Sequence, residues 1–146
     1  MRRLLFTFII CTCFVADFAN ALEFKSIGAP VVLFDAPSLK GGKLYVAPRG
    51  MPVEVILTYG TWTKVRDMAG DLSWVESKEL VARRNVIVRV TNAKVRVMPD
   101  DTSALVFSAD KHVLLELAES TAGGWLKVKH RDGQMGYIKV SDVWGA

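Results

Sequence analysis

Two histidines, His112 and His130, together with Ser120 and Ser141 in the same half of the chain, are the residues from which acid–base or nucleophilic chemistry would have to be built. Their spacing does not assemble it. No H-x-x-H or H-E-x-x-H pattern offers a zinc ligand pair, and no G-x-S-x-G turn presents a serine nucleophile. Glycine-rich phosphate loops and EF-hand loops are missing too, so the sequence predicts no metal and no cofactor. The reading is non-enzymatic. A cell-wall hydrolase accessory with a cryptic site at His112 or His130 stands as the remote alternative.

Binding chemistry is better represented. Trp62-Thr63-Lys64-Val65-Arg66 and Trp125-Leu126-Lys127-Val128-Lys129 have the same pattern, and in an extended chain it separates two faces. Val65 and Val128 fall on one face; Trp62, Lys64, Arg66, Trp125, Lys127 and Lys129 fall on the other. Indole faces stack on sugars and the cations pair with carboxylates, so this stripe suits an anionic or sugar-containing polymer. Tyr59 and Tyr137 lie close enough in sequence to extend it, and Tyr45 is a further aromatic of the first half. The competing reading is structural: each Trp covers an end of its folding unit, and the charges keep an exposed strand soluble.

The elements that must carry these residues repeat. Trp62-Thr63-Lys64-Val65 returns sixty-three positions later as Trp125-Leu126-Lys127-Val128. Gly70 returns as Gly133, Trp74-Val75 as Tyr137-Ile138, and Glu79-Leu80 as Asp142-Val143, while Pro37 and Pro99 are one position closer. The length differences are expected before Gly50 and in the Ser120–Gly124 turn, where loops tolerate them. Short runs rich in Val, Ile, Leu and Trp alternate with turn signals such as Tyr59-Gly60-Thr61, Ala69-Gly70-Asp71 and Arg131-Asp132-Gly133. Gly70 and Gly133 are expected to supply positive φ. His112 is expected within a strand and His130 at a turn edge. Single helical turns are predicted near Ser77–Leu80 and Ser141–Val143. The class is all-β, organised as two tandem units over 22–82 and 83–146. Their joint at Val81–Asn85 is too short to be a floppy tether, and Trp144 is placed to pack across it.

Residues 1–21 read as a secretory signal peptide: Arg2 and Arg3, an apolar run from Leu4 to Ala16, then Ala19-Asn20-Ala21, with cleavage expected after Ala21. The run falls short of the roughly twenty residues a membrane span needs, so no stable span is expected after cleavage. Cys11 and Cys13 would leave with the leader, and Ile10 and Thr12 before them do not suit a lipoprotein signal. The mature chain would then hold no cysteine, and seventeen basic against fourteen acidic side chains, a net charge of +3. That balance does not suggest nucleic acid, but it tolerates anionic envelope polymers. The expected location is periplasmic or secreted.

The residues now carry a family resemblance. Trp125-Leu126-Lys127-Val128, Asp132-Gly133 and Gly136-Tyr137-Ile138 resemble the W-x-x-V, D-G and G-[YW]-[VI] core of bacterial SH3-like (SH3b) domains. Val95-Arg96 followed by Pro99 resembles that family's V-R-x-x-P opening. The first copy is similar through Leu33-Phe34-Asp35-Ala36-Pro37, Trp62, Gly70 and Trp74-Val75. The resemblance implies two tandem small SH3-like β-barrels, used as non-catalytic modules that dock on peptidoglycan or a cell-envelope protein or peptide. The alternative is a structural or assembly protein that pairs strands with its partner. The aromatic groove of proline-peptide-binding SH3 domains is not preserved. Its tryptophan position holds Thr61 or Gly124, its proline position Glu76 or Lys139, and its tyrosine position Glu79 or Asp142.

Overall fold

Apolar side chains at every second position, with β-branched residues prominent, give each short run one face to bury. In the computed structural model, which describes residues 21–121 and 123–146, these runs form two seven-stranded antiparallel sheets. The first holds β1 (Phe24–Ile27), β2 (Val31–Phe34), β3 (Lys43–Ala47), β4 (Pro52–Tyr59), β5 (Trp62–Arg66), β6 (Leu72–Glu76) and β7 (Leu80–Val81). The second holds β8 (Asn85–Val88), β9 (Ala93–Arg96), β10 (Leu105–Ala109), β11 (Leu114–Ser120), β12 (Trp125–Lys129), β13 (Met135–Lys139) and β14 (Val143–Trp144). Strand order is β3-β2-β6-β5-β4-β1-β7 in one sheet and β10-β9-β13-β12-β11-β8-β14 in the other. The two orders are the same path, so the repeat is structural as well as sequential. The leader expected over 1–21 lies, except for Ala21, outside the described residues.

Register locates the length differences. β1 and β8 are sixty-one positions apart, β2 to β4 and their partners sixty-two, and β5, β6 and their partners sixty-three. One difference therefore falls between β1 and β2, and the other in the β4–β5 turn. The register also shifts at matching places, between Val55 and Leu57 in β4 and between Leu117 and Glu119 in β11. Such bulges bend a strand and increase its twist, which lets one sheet curl around its own core. Gly70 and Gly133 both have the expected positive φ, +91° and +95°. The predicted helical turns are 3-10 turns at Ser77–Glu79 and Val140–Asp142.

The cores correspond residue by residue: Ile27 with Val88, Leu33 with Val95, Ala47 with Ala109, Val53 with Leu115, Val65 with Val128, and Val75 with Ile138. Full burial of each larger side chain contributes about 1.5–3 kcal/mol. The second unit adds Val86, Ala93, Leu126 and Val143 to this set. Where it has Leu126 the first unit has Thr63, whose buried hydroxyl is shared with Ser77 at 2.7 Å. The first core is therefore smaller and more polar.

The two units are docked. Phe24 and Trp144 meet with ring centres 5.0 Å apart at 84°, as the position of Trp144 predicts. Arg84 lies over the same Phe24 ring at 5.7 Å and donates from Nη2 to the carbonyl of Gly145 at 3.0 Å. Among the described residues no helix is long and apolar enough to cross a membrane.

Candidate functional site

β5 and β12 run through the middle of their sheets, so their outward side chains are flanked on both sides. In the first unit Thr63 and Val65 point into the core, and Trp62, Lys64 and Arg66 point out. Cross-strand neighbours share a face, and the register therefore arranges this surface in rows. Tyr59, Trp62 and Glu76 make one row; Leu57, Lys64, Trp74 and Phe34 the next; Glu54, Arg66 and Leu72 the third. Phe34 stands edge-on to Trp62 at 5.6 Å, and Lys64 Nζ lies 5.8 Å from the centre of the Trp74 ring. Both geometries are favourable for aromatic and cation–π pairs. Tyr59, 68% exposed, extends the aromatic surface at the turn. Arg66 is committed elsewhere: its Nη1 donates to Glu54 Oε2 at 2.9 Å.

The second unit presents the same rows with different chemistry. Trp125 lies opposite Lys139, Lys127 opposite Tyr137 and Tyr137 opposite Arg96, and Lys129 opposite Met135. Phe34 is thus replaced by Arg96, and Glu76 by Lys139. Trp125 is only 9% exposed here, with Lys139 Nζ 5.7 Å from its ring centre. Lys139 reaches Asp101 at 2.8 Å, and Arg96 Nη1 donates to the carbonyl of Ser103 at 2.9 Å. The stripe read from sequence is outward in both copies, but the copies differ. The first face is aromatic with one cation; the second is cationic over a covered indole. Phe34 and Arg96 were invisible as members of these faces until pairing with β6 and β13 placed them there.

Thr61 and Gly124, where a proline-peptide groove would place tryptophan, instead use their carbonyls as acceptors. Ser77 N–H donates to Thr61 at 2.8 Å and Val140 N–H to Gly124 at 2.9 Å, which ties the 3-10 turn to the hairpin in each copy. Tyr45 is in β3 and donates its hydroxyl to Asp67 Oδ2 at 2.9 Å; burial, then this carboxylate, push its pKa well up.

The histidines need one correction. His112 is not in a strand; it sits in the turn before β11 with φ +76°. His130 follows β12 at the turn edge, as expected, with Nδ1 3.0 Å from Asp132 Oδ1 and its ring tilted against Phe107. The backbone amide and side chain of Gln134, then His130, hold the Asp132 carboxyl down at about 2. Among the described residues no hydrogen bond joins either histidine to a hydroxyl. No group of three His, Cys, Asp or Glu side chains gathers at metal-binding distance there either.

No curated protein matches the chain. Among solved structures it is similar to NlpC2 from Trichomonas vaginalis, at 14% identity and a TM-score of 0.39, over 85% of this chain and 48% of that one. NlpC1 from the same organism is similar at 15% identity and a TM-score of 0.38, over 84% and 45%. So is an NlpC/P60 family protein from Bacillus cereus, at 15% and 0.38, over 84% and 56%. The chain thus spans about half the length of these proteins. A family model for the bacterial SH3 domain matches residues 28–81 and again residues 89–145. With the two equivalent sheets and their shared core positions, these matches place the chain in the bacterial SH3 domain family, as a tandem pair.

Proposed function

We propose that the chain is an exported, non-catalytic binding module that docks on peptidoglycan or another envelope polymer or peptide, acting in the periplasm or outside the cell after cleavage behind Ala21. The observation that carries this reading is the outward face of the first unit, where Lys64 lies over the ring of Trp74 and pairs in register beside the Trp62 row, with Trp62 backed edge-on by the buried Phe34. Sugar rings stack on indole faces, and an ammonium held beside an indole offers a partner to a wall-peptide carboxylate. The cationic face of the second unit adds a weaker, electrostatic contact. Two weak contacts on docked units reinforce each other through effective concentration. Membership of the bacterial SH3 domain family suits such a cell-wall-binding role.

Co-sedimentation with purified sacculi tests it. Wild type should pellet at low salt, and a Trp62→Ala/Trp74→Ala variant should remain in the supernatant. Failure of wild type to pellet would sink the wall-binding reading.

A second reading, assembly by strand pairing, is favoured by one observation. β3 is the edge of its sheet and exposes Leu44 and Val46, 49% and 62% accessible, beside its unpaired backbone. Exposed edges of this kind recruit strands. Cross-linking from a photoreactive residue at Val46 in the native envelope should then recover one defined protein partner and no polymer.

A further inference from the structure

Gly50 and His112 occupy the same place in the two copies. Gly50 N–H donates to the carbonyl of Ile27 and His112 N–H to that of Val88, each at 2.8 Å, and each residue holds left-handed backbone, at φ +84° and +76°. Glycine takes this conformation freely, whereas a histidine holds it against a steric penalty. Strain of this kind gathers at functional positions.

The two turns lie on the same cleft. It has a volume of about 660 Å³, opens between the units, and is lined by Arg49 from the first and His112, Glu116, Lys129, His130 and Arg131 from the second. Both histidines of the chain are therefore here, with three cations and a single carboxylate in the lining, Glu116. Asp132 occupies Nδ1 of His130 at 3.0 Å, which leaves Nε2 of that ring for a ligand. Among the described residues Arg49, Lys129 and Arg131 take part in no ion pair. The contrast with the first unit is direct. There the corresponding pair, Glu54 and Arg66, is closed at 2.9 Å; here Lys129 and Glu116 face each other in the register without pairing.

We propose that this cleft is an anion-binding site for a ligand carrying two or more carboxylate or phosphate groups. Guanidinium groups accept such oxyanions in bidentate fashion, and imidazole N–H groups add directed donors. The volume is that of a small-molecule or oligomer-segment site and exceeds what a single inorganic ion fills. The site is separate from the outward aromatic face and shares with the basic stripe only Lys129. Because the lining comes from both units, occupancy also clamps them together.

The test is an NMR titration of the chain from Leu22 to Ala146, both units together, with citrate and, separately, pyrophosphate. Shifts should concentrate on the amides of Gly50, His112, Glu116 and His130. A preference for citrate assigns carboxylates as the natural groups, and a preference for pyrophosphate assigns phosphates. An Arg49→Gln/Arg131→Gln variant should bind at least ten-fold more weakly while still folding, since both side chains lie outside the cores. His112→Gly should bind more weakly and yet melt at a higher temperature, a combination that a purely structural residue does not produce. Unchanged affinity in the double variant, or shifts spread evenly over Lys64, Lys127 and the other surface cations, would overturn the proposal.

Discussion

Phe24 and Trp144 meet edge to face at 5.0 Å, one from the first strand of the first unit and one from the last strand of the second. Around them Gly145 sits so close that an added Cβ would lie 2.8 Å from Pro52 Cβ and 3.0 Å from the carbonyl of Asn85. The two units are thus packed at their joint, on which the smaller, more polar first core can draw. Trp144→Ala should cost about 2 kcal/mol, a partly buried aromatic being worth less than a fully buried one. Urea unfolding followed by hydrogen exchange should show the loss in the first unit as well as the second. Loss confined to the second unit would mean that the joint carries no stability.

A contrast between the copies gives a second prediction. Glu54 is 8% exposed and depends on Arg66, so Arg66→Ala leaves a largely buried carboxylate without its partner. The cost should be about 1–2 kcal/mol, below that of a fully buried pair because the Arg66 side chain is partly in solvent. Lys129→Ala at the corresponding position should change stability by less than about 0.5 kcal/mol, as expected of an unpaired surface residue. Equal losses in chemical denaturation would show that the two pairs are energetically alike.

Gly136 and Ser73 also correspond, and they predict opposite signs. A Cβ on Gly136 would come within 2.6 Å of Val95 Cγ1 and 2.7 Å of the Arg96 carbonyl, so Gly136→Ala should destabilise by about 1–3 kcal/mol through overpacking. Ser73 is 3% exposed, and its hydroxyl has no protein partner among the described residues. Ser73→Ala removes an unsatisfied buried group and should stabilise by about 1 kcal/mol. Thermal melts of the two variants, moving in opposite directions, check this.

The repeat explains how much of this was legible. Alternation and turn glycines locate β5, β6, β12 and β13, and the offset between Trp62 and Trp125 exposes the duplication, because those features live in consecutive residues. β1 escaped detection: Phe24–Ile27 is four residues long, with Lys25 and Ser26 breaking its apolar pattern, and it becomes a strand only by pairing with β4 and β7. Likewise the cover over Trp125 includes Lys139, which arrives from β13. His112 shows the same limit. Only when sixty-two positions, not sixty-three, separate equivalents in this part of the chain does it fall on Gly50, and left-handed backbone leaves no mark on residue type when the residue is histidine. The cleft depends on docking of two units, which no local pattern encodes.

Asp132 supplies the last prediction. Its carboxylate accepts the backbone amide of Gln134 at 2.9 Å and the Gln134 side-chain amide at 2.7 Å, and faces His130 at 3.0 Å, which together hold its pKa at about 2. A carboxyl depressed in the folded state contributes its stabilisation above the unfolded pKa of about 3.9 and loses it as pH falls through the folded value. The Arg131–Gln134 turn should therefore keep its structure through pH 4 and loosen only as the pH approaches about 2. In an NMR titration the Asp132 carboxyl carbon and the Gln134 amide should move together with a midpoint near that value. Asp132→Asn keeps an oxygen acceptor but removes the charge, and should abolish this acid transition. A midpoint near 4 in the wild type would show that the turn does not hold the carboxylate as these distances imply.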